Sequence, residues 1–194
     1  GGANMNFFIV NQLPVLPPIA FQEGARWIQG QQIIHDWLLP RVLELTYTAW
    51  DLEPFAQDCG WSGPPFRWDE ERRFRLRCEL DAAFFHLYLQ ADDNGEWHLV
   101  EGEVVEDLAQ LKDDFSTPRD VVNHIMDTFR IVKRKDEEKY GDYRTKLQIL
   151  DIYDRMQQAI VSGEPYQTLV DPPPADPSVA HPDDTRPDVA DKNS

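Results

Sequence analysis

The chain has little of what most catalytic chemistry requires. Its two cysteines, Cys59 and Cys78, stand in no pairing motif. That excludes a disulfide scaffold and points to a reducing compartment, with both thiols acting as small core groups. No G-x-G occurs, so the glycine loop that lets a backbone approach a dinucleotide or S-adenosylmethionine is missing. His35, His86, His98, His124 and His181 are scattered, without C-x-x-C or H-E-x-x-H spacing, and no metal site is expected. A nucleophile in G-x-S-x-G is missing too. No apolar run is long enough to span a bilayer, and the N-terminal stretch lacks the basic start of a signal peptide. A soluble, cytoplasmic chain with no membrane partner is expected.

Positive charge is also scarce. Lys and Arg total 19 against 35 Asp and Glu, a formal net charge of -16. That argues against a free-standing nucleic-acid binder and against an anionic membrane surface, both of which need a positive face.

Apolar material is present in quantity. Hydrophobic residues make up 41% of 194 residues, enough to bury a core for one domain or slightly more. The patterning predicts a mostly α chain with minor β (α+β). Residues 5–10, MNFFIV, read as a short strand, and LPVLPP after them forces an extended path. Residues 24–48 carry Trp27, Ile34, Trp37, Leu38, Val42 and Leu45 at helical spacing, and Pro40 predicts a break or restart. A long helix is expected from Asp69 to about Leu89, with Phe74, Cys78, Asp81, Phe85 and Tyr88 on one side. Asn94-Gly95 marks a turn into a short strand. Residues 116–129 predict a helix capped by Thr117, with Pro118 in its first turn and Asp120 completing a capping box. A last helix is expected from about Tyr143 to Ile160. Residues 171–194 hold six of the 15 prolines and no aromatic residue, so a disordered Pro/Asp-rich tail is expected over 166–194.

Two stretches are locally basic. RWDEERRFRLR (67–77) reads as surface ion pairs on one helix, with Asp69→Arg73 and Glu71→Arg75 four apart. Residues 130–146 have seven Lys or Arg against four acids, with Lys133, Arg134 and Lys135 contiguous and Tyr140 and Tyr143 interleaved. Those three cations are candidates for phosphate contact. The tetrapeptide Gly63-Pro64-Pro65-Phe66 is close to the Asn/Asp/Ser-Pro-Pro-Tyr/Phe loop of amino-methyltransferases. Gly63 has no side chain to polarise an amino group, so the stretch reads as a rigid turn. Asp136-Glu137-Glu138-Lys139 reads as a solvated face.

Longer phrases say more than these short motifs. GGANMNFFIVNQLPVLPP (1–18), LELTYTAWDLEPFA (43–56), GPPFRWDEER (63–72) and VKRKDEEKYGDYRTK (132–146), in that order, resemble the C-terminal end of bacterial type IIG-like adenine-specific DNA methyltransferases of restriction–modification and related anti-phage systems. The resemblance covers roughly residues 1–160, and 90–128 is its least distinctive part. It implies that a catalytic domain, with its S-adenosylmethionine loop and Asn-Pro-Pro-Tyr/Phe site, lies upstream in the same polypeptide. Residues 1–23 would then end a target-recognition region, and 24–165 would form a helical C-terminal domain. No catalytic, cofactor or metal residue is expected in this chain, which should be inactive alone. S-adenosylmethionine would serve the full-length enzyme, with DNA as its partner. Asn4, Asn6 and Asn11, nearest the recognition region, are candidates for base contact, since Asn pairs bidentately with adenine. Two other readings remain open: a stand-alone helical interaction module of a defence complex, and an acidic DNA mimic.

Overall fold

The computed structural model describes residues 15–28, 32–89, 91–98 and 106–182. Among them are seven α-helices: α1 (Ile34–Thr46), α2 (Glu53–Asp58), α3 (Glu70–Tyr88), α4 (Glu106–Asp114), α5 (Pro118–Thr128), α6 (Arg130–Tyr140) and α7 (Arg144–Ser162). Short 3-10 turns lie at Pro18–Gln22, Trp50–Leu52 and Pro177–Val179. The protein is predominantly α. In place of the expected minor β, the described residues show only two isolated antiparallel bridges, Phe66 with Ala180 and Ala91 with Trp97. The predicted strand at 5–10 lies outside the described residues.

Helices α3 and α7, each of 19 residues, form the axis of the fold. Both are long enough, at about 1.5 Å per residue, to cross a small domain. They pack on each other, α5 and α6 lean on α7, and α1 leans on α3. The main core lies between them, where Cys78, Ala82 and Ala83 of α3 and Ile149, Ile152, Tyr153 and Met156 of α7 are buried. A second, smaller cluster gathers Leu43, Tyr47, Ala56, Phe66 and Ala180.

The local signals explain most element ends. The Asp69 side chain accepts from the Arg72 amide at the start of α3. At α5, Thr117 and Asp120 form the predicted reciprocal capping box. Gly141 and Gly163 end α6 and α7 in the left-handed region, φ +79° and +71°, where a Cβ is disfavoured. At the Asn94-Gly95 turn, the Asp92 carboxylate accepts from the Asn94 and Glu96 amides.

Three expectations are corrected. Residues 24–28, 32 and 33 are not helical, and α1 runs unbroken through Pro40. An interior proline costs about 3 kcal/mol. Burial of Trp37, Leu38, Arg41 and Leu43 on either side of it outweighs that cost. The Arg-rich start of α3 is only partly a surface ion-pair ladder. Glu71 and Arg75 pair as expected. Asp69 caps the helix instead, Arg72 clasps Glu44 with two hydrogen bonds, and Arg73 stacks on Trp68 while donating to the Leu45 carbonyl.

The third correction concerns the tail. Residues 166–182 are packed against the helices. Tyr166, Val170 and Ala180 are buried. The Arg72 guanidinium donates to the Pro172 and Pro173 carbonyls, the Ala175 amide donates to Glu44, and the His181 amide donates to the Pro65 carbonyl. Composition misled because this segment contributes little apolar surface of its own. It is ordered by carboxylates and arginines of α1 and α3 that satisfy its backbone. Residues 183–194 lie outside the described residues.

Candidate functional site

GPPF is a packing element. The Trp61 ring lies so close to Gly63 that a Cβ there would come within 2.9 Å of it. Trp61 donates to the Pro64 carbonyl, and the Phe66 ring lies 4.7 Å from Trp61. The Phe66 amide donates to the Tyr47 carbonyl. The glycine is needed for the tryptophan.

The buried polar groups are likewise structural. Glu79 is fully buried and its carboxylate collects four donors: Arg41 Nε at 2.8 Å, Tyr166 Oη at 2.8 Å, Thr168 Oγ1 at 2.7 Å and the Leu169 amide at 2.9 Å. Burial lowers the Arg41 pKa against the attraction of Glu79 and raises that of Tyr166, with the Glu79 charge adding to the rise. His86 stacks on Tyr153 with ring centres 3.9 Å apart and donates from Nε2 to the Tyr153 carbonyl. Burial depresses its pKa to about 4, so it is neutral at neutral pH. Burial also pushes the Cys78 thiol up to about 12, which leaves it inert as a nucleophile. Among the described residues no group of His, Cys, Asp and Glu could hold a metal ion.

The most developed surface feature is a groove between α3 and the α5–α6–α7 side. One hollow, of about 560 Å³, is apolar, with Phe84, Phe85, Ile125, Met126 and Phe129 on its walls. The adjoining hollow, of about 620 Å³, is charged and is lined by Arg77, Lys135, Lys139, Arg144 and Asp136. The two share Asp81, Val132 and Thr145, so they form one channel with an apolar and a charged half. The α3 wall is the predicted stripe of Phe74, Cys78, Asp81, Phe85 and Tyr88. Asp81 stands at the junction, and desolvation by its surroundings raises its carboxyl pKa against the nearby Arg77. Phe129, between α5 and α6, keeps 50% of its surface exposed.

The acids of the charged half are largely engaged. Glu71 binds Arg144 and Arg75, and the Arg144 hydrogen bond lowers its pKa. Asp136 accepts from the Thr145 amide. Arg144 also lies over the Phe74 and Tyr140 rings. Lys139 bonds to Tyr140 and lowers the phenol's pKa.

The sequence candidates separate on this surface. Lys133 and Arg134 point along α6 to Glu137 and Glu138, at 4.0 and 3.7 Å. Lys135 lines the charged half of the groove. Asn4, Asn6 and Asn11 lie outside the described residues. Arg77, Asp81, Phe129 and Lys139 were not singled out as site residues. The sequence signals for them are the two locally basic stretches, which hold Arg77 and Lys139, and Asp81 as an acid inside an otherwise apolar helical stripe.

Among the described residues no helix is long and apolar enough to cross a membrane. Comparison with protein-family models, with curated proteins and with solved structures finds no match to this chain.

Proposed function

We propose that this chain is the helical, non-catalytic C-terminal part of an S-adenosylmethionine-dependent, adenine-specific DNA methyltransferase of a restriction–modification or related defence system. Its role there is to seat the end of the target-recognition region. The observation that carries the reading is where the resembling phrases fall. LELTYTAWDLEPFA supplies Leu43, Tyr47 and Ala56 of the second core, GPPFRWDEER supplies Phe66 and the α3 cap, and VKRKDEEKYGDYRTK makes the α6–α7 corner. Each of these three phrases is a packing junction, as a supporting part requires, and residues 1–14 of the first phrase lie outside the described residues.

Two further features support the reading. The junction between the proposed recognition region and the bundle is clamped: Phe21, near the end of that region, meets Phe84, and Trp27, just after it, is 3% exposed with its ring against Trp37 and His86. A recognition region leaving that clamp would be held in register, and register is what base-edge readout needs. Lys135 is the basic candidate free of an ion pair to any described residue, and it suits a phosphate. The upstream domain would supply the methyl donor and flip the adenine out of the stack, in the cytoplasm.

The test is to translate the DNA in frame upstream of the Gly1 codon and express the whole reading frame in a host without adenine methylation. Genomic methylation is then mapped by single-molecule sequencing. Methylation of one defined motif, lost on deletion of residues 15–182 and reduced by Trp27→Ala, is the expected result. A start signal directly upstream, or methylation that survives the deletion, overturns it.

A further inference from the structure

We propose that the groove between α3 and α6–α7 is a docking site for an acidic amphipathic helix of a partner protein. The partner's apolar side chains would lie among Phe84, Phe85, Ile125 and Phe129, and its carboxylates would face Arg77, Lys135 and Lys139. Apart from Lys135, which it assigns to a carboxylate instead of a phosphate, the proposal is independent of the function proposed above.

Charge complementarity identifies the occupant. In the charged half, the acids already have partners on this chain: Glu71 has two arginines, Asp136 has the Thr145 amide, and Glu70 accepts from Trp68 Nε1. Arg77, Lys135 and Lys139 are exposed and make no ion pair with a described residue. Lys135 and Lys139 are one helical turn apart on α6 and face Arg77 of α3 across the hollow. Three cations without an ion pair to a described residue therefore stand at one end of the channel, Arg77 near Asp81 and Lys139 beside Tyr140. The other end is walled almost wholly by aromatic and aliphatic carbon, and it stays open, with Phe129 half exposed.

A groove with this division reads an amphipathic helix through anchors at i, i+3, i+4 and i+7, with charge at one end fixing direction. Asp81 sits at the junction and calls for a hydroxyl or amide donor there, so the occupant's acids belong at one end only. A nucleic acid fits less well. Its phosphates would meet the three cations but leave the apolar half uncovered, and the net charge of -16 repels a polyanion more than a short peptide bearing a few carboxylates.

The experiment uses the full chain and fluorescein-labelled peptides of about 15 residues, long enough to hold a helix. One carries Leu at i, i+3 and i+7, Ser at the centre and three Glu at one end. Its control carries Lys for Glu. A labelled duplex DNA of equal length is titrated alongside, all by fluorescence anisotropy at low salt. The acidic peptide is expected to bind at least about tenfold more tightly than the Lys control. Lys135→Glu with Lys139→Glu should weaken it about tenfold, and these exposed substitutions leave the core untouched. Phe129→Ser should weaken it similarly, with the melting curve reporting intact folding. Equal binding of the two peptides, or binding that survives the charge reversals, overturns the proposal. So does DNA binding tighter than the acidic peptide and lost on the same reversals, which would make the groove a nucleic-acid surface.

Discussion

The Arg41 guanidinium and the Glu79 carboxylate face each other at 2.8 Å with 6% and 0% of their side chains exposed. They join α1 to α3 and, through Tyr166, Thr168 and Leu169, fasten the C-terminal segment to both. Arg41 also stacks over Trp37 and donates to its carbonyl. Removing one member leaves the other charged and dry. Glu79→Ala is therefore expected to cost about 3–5 kcal/mol in urea unfolding. The double variant Arg41→Met with Glu79→Leu should recover the part of that loss due to the stranded guanidinium, while the Tyr166, Thr168 and Leu169 donors stay without their acceptor. A double variant as unstable as the single one would show that the stranded guanidinium contributes nothing to the loss.

The ordered C-terminal segment makes a second prediction. Ending the chain after Val170 removes the Ala175 amide from Glu44, the Pro172 and Pro173 carbonyls from Arg72, and Ala180 from the cluster around Phe66 and Tyr47. The shortened protein should melt at a lower temperature and bind a hydrophobic dye at the uncovered cluster. An unchanged melt would mean that this segment contributes nothing to stability.

His86 sets a pH dependence. Its imidazole titrates near 4 in the fold because burial disfavours the charged form, and near 6.5 when unfolded. Between those values the unfolded chain holds the extra proton, so stability rises with pH across the window. The contribution is fully present above about 6.5 and is lost as pH falls to about 4, by roughly 3 kcal/mol. Unfolding at pH 7 and pH 4 should show His86→Phe losing less stability than the native protein. Equal losses would assign the acid sensitivity elsewhere.

The capping box at α5 is a local test. Thr117→Ala removes the acceptor for the Asp120 amide and should cost about 1 kcal/mol, read from the denaturation midpoint. Asp120→Ala, which frees the Thr117 amide from the other side, should cost a similar amount. Together the two should cost less than the sum, because they break one reciprocal unit.

Residue types and spacing determined what local chemistry decides. They set the start of α3 near Asp69, the capping box of Thr117 and Asp120, the turn at Asn94-Gly95, the glycine stop at Gly141, and the long apolar stripe of α3. Each depends on groups within a few residues of one another, so a sequence carries it directly. Tertiary structure decided the rest. Pro40 stays helical because Trp37 and Arg41 are buried beside it. The chain from Tyr166 to Pro182 is ordered because Glu44, Arg72 and Glu79, remote in sequence, supply the hydrogen bonds its own composition cannot. Lys133 and Lys135 differ in setting because two residues, about 200° around the helix, leave one beside Glu137 on the surface and turn the other toward the groove. Such outcomes depend on which distant groups meet, and only the packed helices settle that.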